Sequence, residues 1–198
     1  HHGIATLLQL LRPFGHGLIC PAVALADWPV LRRRGVLLDI SRWKVPATRT
    51  IEAMIDWMAG HKLNMLQLYS ENNYRFRRYP TIGRGYGRLT GPDIRKLDAF
   101  ARSRGVELMP NFASFGHMER ILERREFRRL SVGASVRIIN PLVPATYRFL
   151  GNLYDEYLPN FSSDTFNINC DETWDLGRGR SARIVKRLGA GEVYLRHV

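Results

Sequence analysis

No stretch of the 198 residues stays apolar and uncharged for the ~20 positions that a bilayer-spanning helix needs, so no membrane-spanning helix and no membrane partner are expected. Cysteine is nearly missing. Cys20 and Cys170 stand far apart, without the CxxC or Cys/His spacing that builds a zinc site, and are expected as two buried free thiols. No metal and no cofactor is implied by them. The opening HHGIATLLQLLR has neither a Met nor the layout of a signal peptide, and the natural start is expected upstream. Lysine is scarce as well: only Lys44, Lys62, Lys96 and Lys186 appear among 30 basic residues, against 18 acidic ones, for a net charge of +12. A basic chain invites a nucleic-acid reading. The arginines, however, are scattered over almost every segment and interleaved with Glu, as in MERILERREFRRL, which suits solvated helix faces better than a phosphate-tracking stripe. No nucleic-acid partner is expected.

What the chain does have is 45% hydrophobic and 11% aromatic residues, enough for one sizeable core. Four segments read as strands: GVLLDIS (35–41), NMLQLYS (64–70), VELMPNF (106–112) and FNINCDE (166–172). Each is followed by helical periodicity. Thr48 is placed to cap a helix carrying Ile51, Met54, Ile55 and Met58, and Thr90 opens one carrying Ile94, Leu97 and Ala101 that Gly105 stops. Two helical stretches follow the third strand, one over about 117–130 and one from Pro144 with Tyr147, Leu150, Tyr154 and Leu158 on its face. From Ser181 onward the pattern is helical, interrupted at Gly189 and Gly191.

Strict alternation of strand and helix means a parallel sheet with crossover helices. The strands choose between an open sheet and a barrel. Phe166, Ile168 and Cys170 share one face against Asn167, Asn169 and Asp171; Leu66 and Leu68 oppose Gln67, Tyr69 and Glu71. A central strand of an open sheet is apolar on both faces, whereas a barrel strand turns one face to an interior whose C-terminal rim carries the site. The expected fold class is therefore α/β, a (β/α)8 TIM barrel. A complete one takes ~250 residues, so about the first four βα units are present: residues 33–198 form the N-terminal half of a barrel domain, and 1–32 the tail of a preceding domain or linker. The first and fourth strands would be edges.

At the strand ends the chain supplies Ser41 and Arg42, Tyr69 and Glu71, Asn111 with SFGHM, and the adjacent carboxylates Asp171 and Glu172. Neighbours on a regular strand point to opposite faces, but at its end both can serve one site. Two such groups push their pKa values apart, which allows one acid and one anion at one pH, as glycosidic cleavage requires. Taken alone, an Asp-Glu pair is better read as capping the next helix. Trp57 is expected in the core, Trp43 is open between core and sugar platform, and Trp174 falls on the site rim. LGRGRS lacks the Gly-Lys-Ser/Thr of a phosphate loop.

In order, RRGVLLDISRWKVP, HKLNMLQLY, VELMPNFASFGHM and FNINCDETWDLGRGRS resemble the family-20 glycoside hydrolases, the β-N-acetylhexosaminidases, over residues 33–182. The resemblance implies substrate-assisted retaining hydrolysis, in which the 2-acetamido group of the sugar is the nucleophile. Asp171 would orient that group and stabilise the oxazolinium-like intermediate; Glu172 would be acid, then base. Arg42 would bind sugar hydroxyls, and His117 would belong to a polar relay near the acid, or else be a structural histidine. The chain departs from the family's H-x-G-G-D-E with Asn167, Asn169 and Cys170, and has Ala113 and Asn111 where acids are usual. Glu71 is the candidate replacement in the relay. The implied partner is an N-acetylhexosamine-containing oligosaccharide or glycoconjugate; the alternative is a degenerate barrel that binds amino sugars without cleaving them.

Overall fold

The computed structural model of the chain describes residues 2–42, 44–133 and 135–198. A helix, α1 (His2–Leu10), leads into a small antiparallel hairpin, β1 (Arg12–Phe14) and β2 (Gly17–Ile19), turned at Gly15 with φ +57°. Then come β3 (Gly35–Asp39), α2 (Thr48–Gly60), β4 (Met65–Ser70), α3 (Gly91–Ser103) and β5 (Glu107–Phe112). These strands form one parallel sheet in the order β3-β4-β5, separate from the hairpin.

The apolar spacing of the helices explains how they cover the sheet. Ile51, Ile55 and Met58 of α2 and Ile94, Leu97 and Ala101 of α3 are buried in one core with Leu66, Leu68 and Leu108 from the strands. Thr90 caps α3 as expected, and reciprocally: its Oγ1 accepts the Asp93 N–H at 3.3 Å while Asp93 Oδ2 accepts the Thr90 N–H at 2.9 Å. Gly105, at φ +71°, allows the chain to leave the helix. The expected cap at Thr48 is corrected: the N-cap is Ala47, without a side-chain hydrogen bond, and Thr48 sits in the first turn.

The segment after β5 differs most from expectation. Residues 117–130 hold only α4 (Glu119–Leu122) and a 3₁₀ turn, Arg128–Leu130. His117 has φ +54°, outside helical geometry, and the chain folds back so that Met118 N–H bonds Arg137 O at 2.9 Å. Phe127 and Leu130 reach the core through that 3₁₀ turn. Next, α5 (Pro144–Tyr157) buries Thr146, Phe149, Leu150, Leu153 and Tyr157, leaving the expected Tyr147 41% exposed. The stripe is rotated because Tyr157 wedges against Tyr74, Phe112 and Phe161. The final helix is broken at Gly189 (φ +86°) into α6 (Ala182–Leu188) and α7 (Ala190–Leu195).

The fourth strand is reduced to a single parallel bridge, Asn111 to Asn167. Asn167 N–H donates to Pro110 O at 3.0 Å and Phe112 N–H to Asn167 O at 3.1 Å. Beyond that point Asn167 Oδ1 accepts the Asn169 N–H at 3.0 Å, a local turn that competes with a ladder. Asn169 and Glu172 then have φ of +47° and +48°, which ends extended pairing. The alternation of faces survives: Phe166, Ile168 and Cys170 still join the core, and Asn167 still turns to the other side to meet Gln67. Two further expectations are corrected. Cys20 is exposed because it lies in the open stretch after the hairpin, and Trp57, 55% exposed, stacks on His61 one helical turn away instead of entering the core. Trp43 lies outside the described residues.

Candidate active site

Register places the site. Asp39, Tyr69 and Asn111 are paired across the sheet and continue through the bridge to Asn167, one polar row on the face opposite the helices. Below it, Gln67 Oε1 accepts from Asn111 Nδ2 at 2.9 Å and from Asn167 Nδ2 at 3.1 Å. Asn111 is therefore a buried tie between strands; its bonds go to Gln67, away from the acid pair.

Above that row the strand ends converge. Asp39 Oδ1 accepts the backbone N–H of Ser41 at 2.7 Å and of Arg42 at 3.2 Å, a turn that brings the Arg42 guanidinium back over the sheet. Arg42 Nη1 then sits 3.0 Å from Asp39 Oδ2 and 2.9 Å from Glu71 Oε1, with its Cζ 4.9 Å from the Tyr69 ring centroid. Tyr69 donates its hydroxyl to Glu71 Oε1 at 2.9 Å, and Ser41 Oγ accepts the Glu71 N–H at 2.9 Å. Glu71 is thus fixed by three neighbours. Burial pushes its carboxyl above the ordinary value, a rise that the Tyr69 hydroxyl, Arg42 and His117 only partly offset and that the nearby charge of Glu119 assists. Burial likewise raises the Tyr69 phenol well above its usual range.

His117 joins this buried carboxyl to the exposed pair. Its Nδ1 lies 3.7 Å from Glu71 Oε1; its Nε2 lies 3.6 Å from Asp171 Oδ2 and 3.4 Å from Glu172 Oε2. The His117 side chain is 12% exposed, those of Asp171 and Glu172 59% and 55%, so imidazole is the wall and the carboxylates the surface. Asn169 Nδ2 donates to Asp171 Oδ1 at 3.1 Å. Both loops are held close: a Cβ on Gly116 would come within 2.1 Å of the Asp171 carbonyl oxygen. His117, Asn169 and Glu172 all occupy the left-handed region, a concentration of backbone strain of the kind functional sites retain.

Of the residues expected from sequence, Arg42, Glu71, His117, Asp171 and Glu172 meet in one cluster. Trp174 stands two residues beyond Glu172 on the chain and is 72% exposed. Sequence reasoning assigned no role to Asp39 or Tyr69. Both carried a signal: Asp39 is in phase with Tyr69 on the inward face, and Asp-x-Ser-Arg spaces a carboxylate and a guanidinium for one turn. The arrangement offers two exposed carboxylates sharing one imidazole, backed by a buried carboxyl, beside an anchored guanidinium.

Residues 32–194 match the profile described as glycosyl hydrolase family 20, catalytic domain. The beta-hexosaminidase of Vibrio furnissii is 25% identical over 210 residues, covering 88% of this chain and 34% of that protein. Beta-hexosaminidase subunit beta of Homo sapiens is 27% identical, with 86% and 33% covered. The chain spans about a third of the length of these relatives. Among solved structures, the chitobiase of Flavobacterium johnsoniae superposes with a TM-score of 0.82 at 22% identity, over 99% of this chain and 33% of that one. The beta-N-acetylhexosaminidase of Bacteroides fragilis gives 0.79 at 24%, over 99% and 43%. These establish a shared fold.

Proposed function

The chain belongs to glycosyl hydrolase family 20, as part of its catalytic domain, and from that premise we propose that it forms the first four βα units of a (β/α)8 barrel that removes terminal N-acetylhexosamine from glycans. The reaction is substrate-assisted and retaining. The acetamido carbonyl of the sugar attacks the anomeric carbon, so no protein group has to reach it. Asp171, oriented by Asn169, holds the acetamido N–H and offsets the positive charge of the cyclic intermediate. Glu172 protonates the leaving oxygen and then takes a proton from the incoming water. His117, braced at Nδ1 by Glu71, holds Glu172 in place through Nε2. Arg42, set by Asp39 and Glu71, presents its remaining donors to the sugar hydroxyls, while Trp174 offers a ring to the sugar at the rim and Asn111 ties the floor of the site together.

The observation that supports this most is the continuous contact chain from Arg42 through Glu71 and His117 to both members of the acid pair, all at the C-terminal ends of the strands. Its test uses the full-length protein and Glu172→Gln. An unactivated disaccharide ending in N-acetylglucosamine should lose about 10²–10⁴-fold in kcat, the usual worth of general acid catalysis. An aryl glycoside whose leaving group needs no proton should lose far less. Equal losses on both substrates, or none, would remove Glu172 from the acid role. Binding of N-acetylglucosamine without any turnover in the native protein would favour the non-hydrolytic barrel instead. The 198-residue chain by itself should show no turnover.

A further inference from the structure

The loops that carry His117 and the acid pair are both joined to the end of α7, which the proposed chemistry does not use. Tyr194 donates its hydroxyl to Cys170 O at 2.9 Å, and Cys170 directly precedes Asp171. His197 Nε2 lies 3.0 Å from Ser114 O, and Ser114 stands just ahead of His117, in SFGH. A backbone carbonyl only accepts, so the imidazole donates through its Nε2–H. Each side chain thus holds the main chain of one loop.

The two donors work from one face. The His197 N–H on Tyr194 O at 2.9 Å continues the last turn of α7, which sets both rings on the same side. Between them and the site lies Phe115, fully buried, its ring centroid 4.0 Å from that of His197 and 5.5 Å from that of Tyr194. The helix end is itself fixed, because Val193 is buried and His197 also packs on Tyr147 of α5. Ser114 completes the joint: its N–H donates to Asn169 O at 3.4 Å and its hydroxyl to Ile168 O.

These bonds fall where the backbone is most strained. The fourth strand has a single bridge, at Asn167, so no ladder fixes the chain from Asn169 to Glu172. Left-handed conformations at non-glycine residues persist where the surroundings over-determine them. The Tyr194 bond falls on Cys170, between Asn169 at φ +47° and Glu172 at +48°, and the His197 bond just ahead of His117 at +54°. His197 Nδ1 is buried without a hydrogen-bond partner among the described residues. Burial holds this imidazole below its ordinary pKa, a fall that the Ser114 carbonyl only partly offsets. The neutral ring with its proton on Nε2 is the form that fits.

We propose that Tyr194 and His197 are positioning residues for the hydrolysis: through the Cys170 and Ser114 carbonyls they set where Asp171 and Glu172 stand relative to His117. The proposal rests on the hydrolase reading above and extends its site to α7.

Three variants of the full-length protein test it. Tyr194→Phe keeps the ring on Phe115 and removes only the donor; His197→Leu keeps bulk without a donor; His197→Gln restores an N–H that can reach Ser114 O. On an unactivated disaccharide ending in N-acetylglucosamine, Tyr194→Phe and His197→Leu should each lower kcat about tenfold, less than the ~10²-fold of a full 1 Å misplacement because the other tie remains. The fall on an aryl glycoside whose leaving group needs no proton should be smaller, since only the disaccharide draws on Glu172 as acid. A loss of folded protein would lower both rates by one factor, so the ratio separates positioning from stability. His197→Gln should recover most of the disaccharide rate. Equal losses on the two substrates, or native rates in Tyr194→Phe, would overturn the proposal and leave the hydrolase reading standing; Tyr194→Phe decides this even if His197→Leu does not fold. His197→Gln no faster than His197→Leu would overturn the part given to His197. No turnover by the native protein would overturn the hydrolase reading, and the positioning roles with it.

Discussion

Gly116→Ala adds one methyl group at the neighbour of His117, to a residue that has no side chain of its own in the proposed reaction. On the present backbone the new Cβ would lie 2.1 Å from the Asp171 carbonyl oxygen and 3.2 Å from its carbonyl carbon and from the Glu172 carbonyl oxygen. Contacts under 3.0 Å are essentially never made by a real Cβ, so one backbone must give by about 0.9 Å. Neither side can absorb this through a flexible side chain, because every atom met is main chain. The Gly116 loop is anchored behind by Met118 N–H on Arg137 O and Ile139 N–H on Phe115 O. The Asp171 segment is anchored too, by Ser114 N–H on Asn169 O and by the Tyr194 hydroxyl on Cys170 O, so whichever side gives, either His117 or the acid pair is displaced. A misplacement near 1 Å costs ~10²-fold in rate, whereas overpacking costs about 1–3 kcal/mol in stability. The variant should therefore fold, melt somewhat lower, and lose about two orders of magnitude in kcat/KM on an aryl N-acetylglucosaminide in the full-length protein. Native activity in Gly116→Ala would show that the acid pair is not held by this contact. A cooperative melt with unchanged midpoint and unchanged rate would refute the close approach itself.

Glu71 gives a pH-dependent prediction. Burial raises its folded-state pKa above the ordinary 4.5. The folded protein then holds this proton more tightly than the unfolded chain does, so the contribution is full below pH 4.5 and is lost as pH rises through the folded value. The melting temperature of the native protein minus that of Glu71→Gln should fall as pH rises across this window; a flat difference would contradict the burial argument. Thr90→Ala removes one half of the reciprocal cap of α3 and should cost about 1 kcal/mol in denaturant unfolding, with kcat untouched. Trp174→Ala, at a position 72% exposed, should change stability by less than about 0.5 kcal/mol yet raise KM for an oligosaccharide; an unchanged KM would take Trp174 out of the sugar site.

The helices were legible in sequence where a stripe of Ile, Leu and Met recurs at helical spacing, as in α2 and, with its stop at Gly105, α3. They were least legible where Arg and Glu alternate: the charges of MERILERREFRRL satisfy a helix pattern that the left-handed His117 and the 3₁₀ turn at Arg128–Leu130 override. The site shows the same division. Arg42, Glu71, His117 and the acid pair could be found as functional groups at strand ends, because a parallel sheet collects those ends in one place. Their hub could not be: that Glu71 faces Arg42, Tyr69 and His117 together depends on the turn made by Asp39 and on positive φ at His117. The strand expected at 166–172 failed for a related reason, since Asn167 and Asn169 bond locally and turn the chain so that Glu172 leaves the sheet where the site needs it.

The central claim is that the sugar, not the protein, supplies the nucleophile beside Asp171 and Glu172. A series of aryl glucosaminides bearing acetyl, fluoroacetyl, difluoroacetyl and trifluoroacetyl groups on the 2-nitrogen tests it most directly, because each fluorine weakens the carbonyl oxygen and leaves the rest of the molecule in place. For the full-length protein, kcat should fall steeply and monotonically along the series. A rate that stays level from acetyl to trifluoroacetyl would mean that the carbonyl does not attack, and that a carboxylate of the protein does.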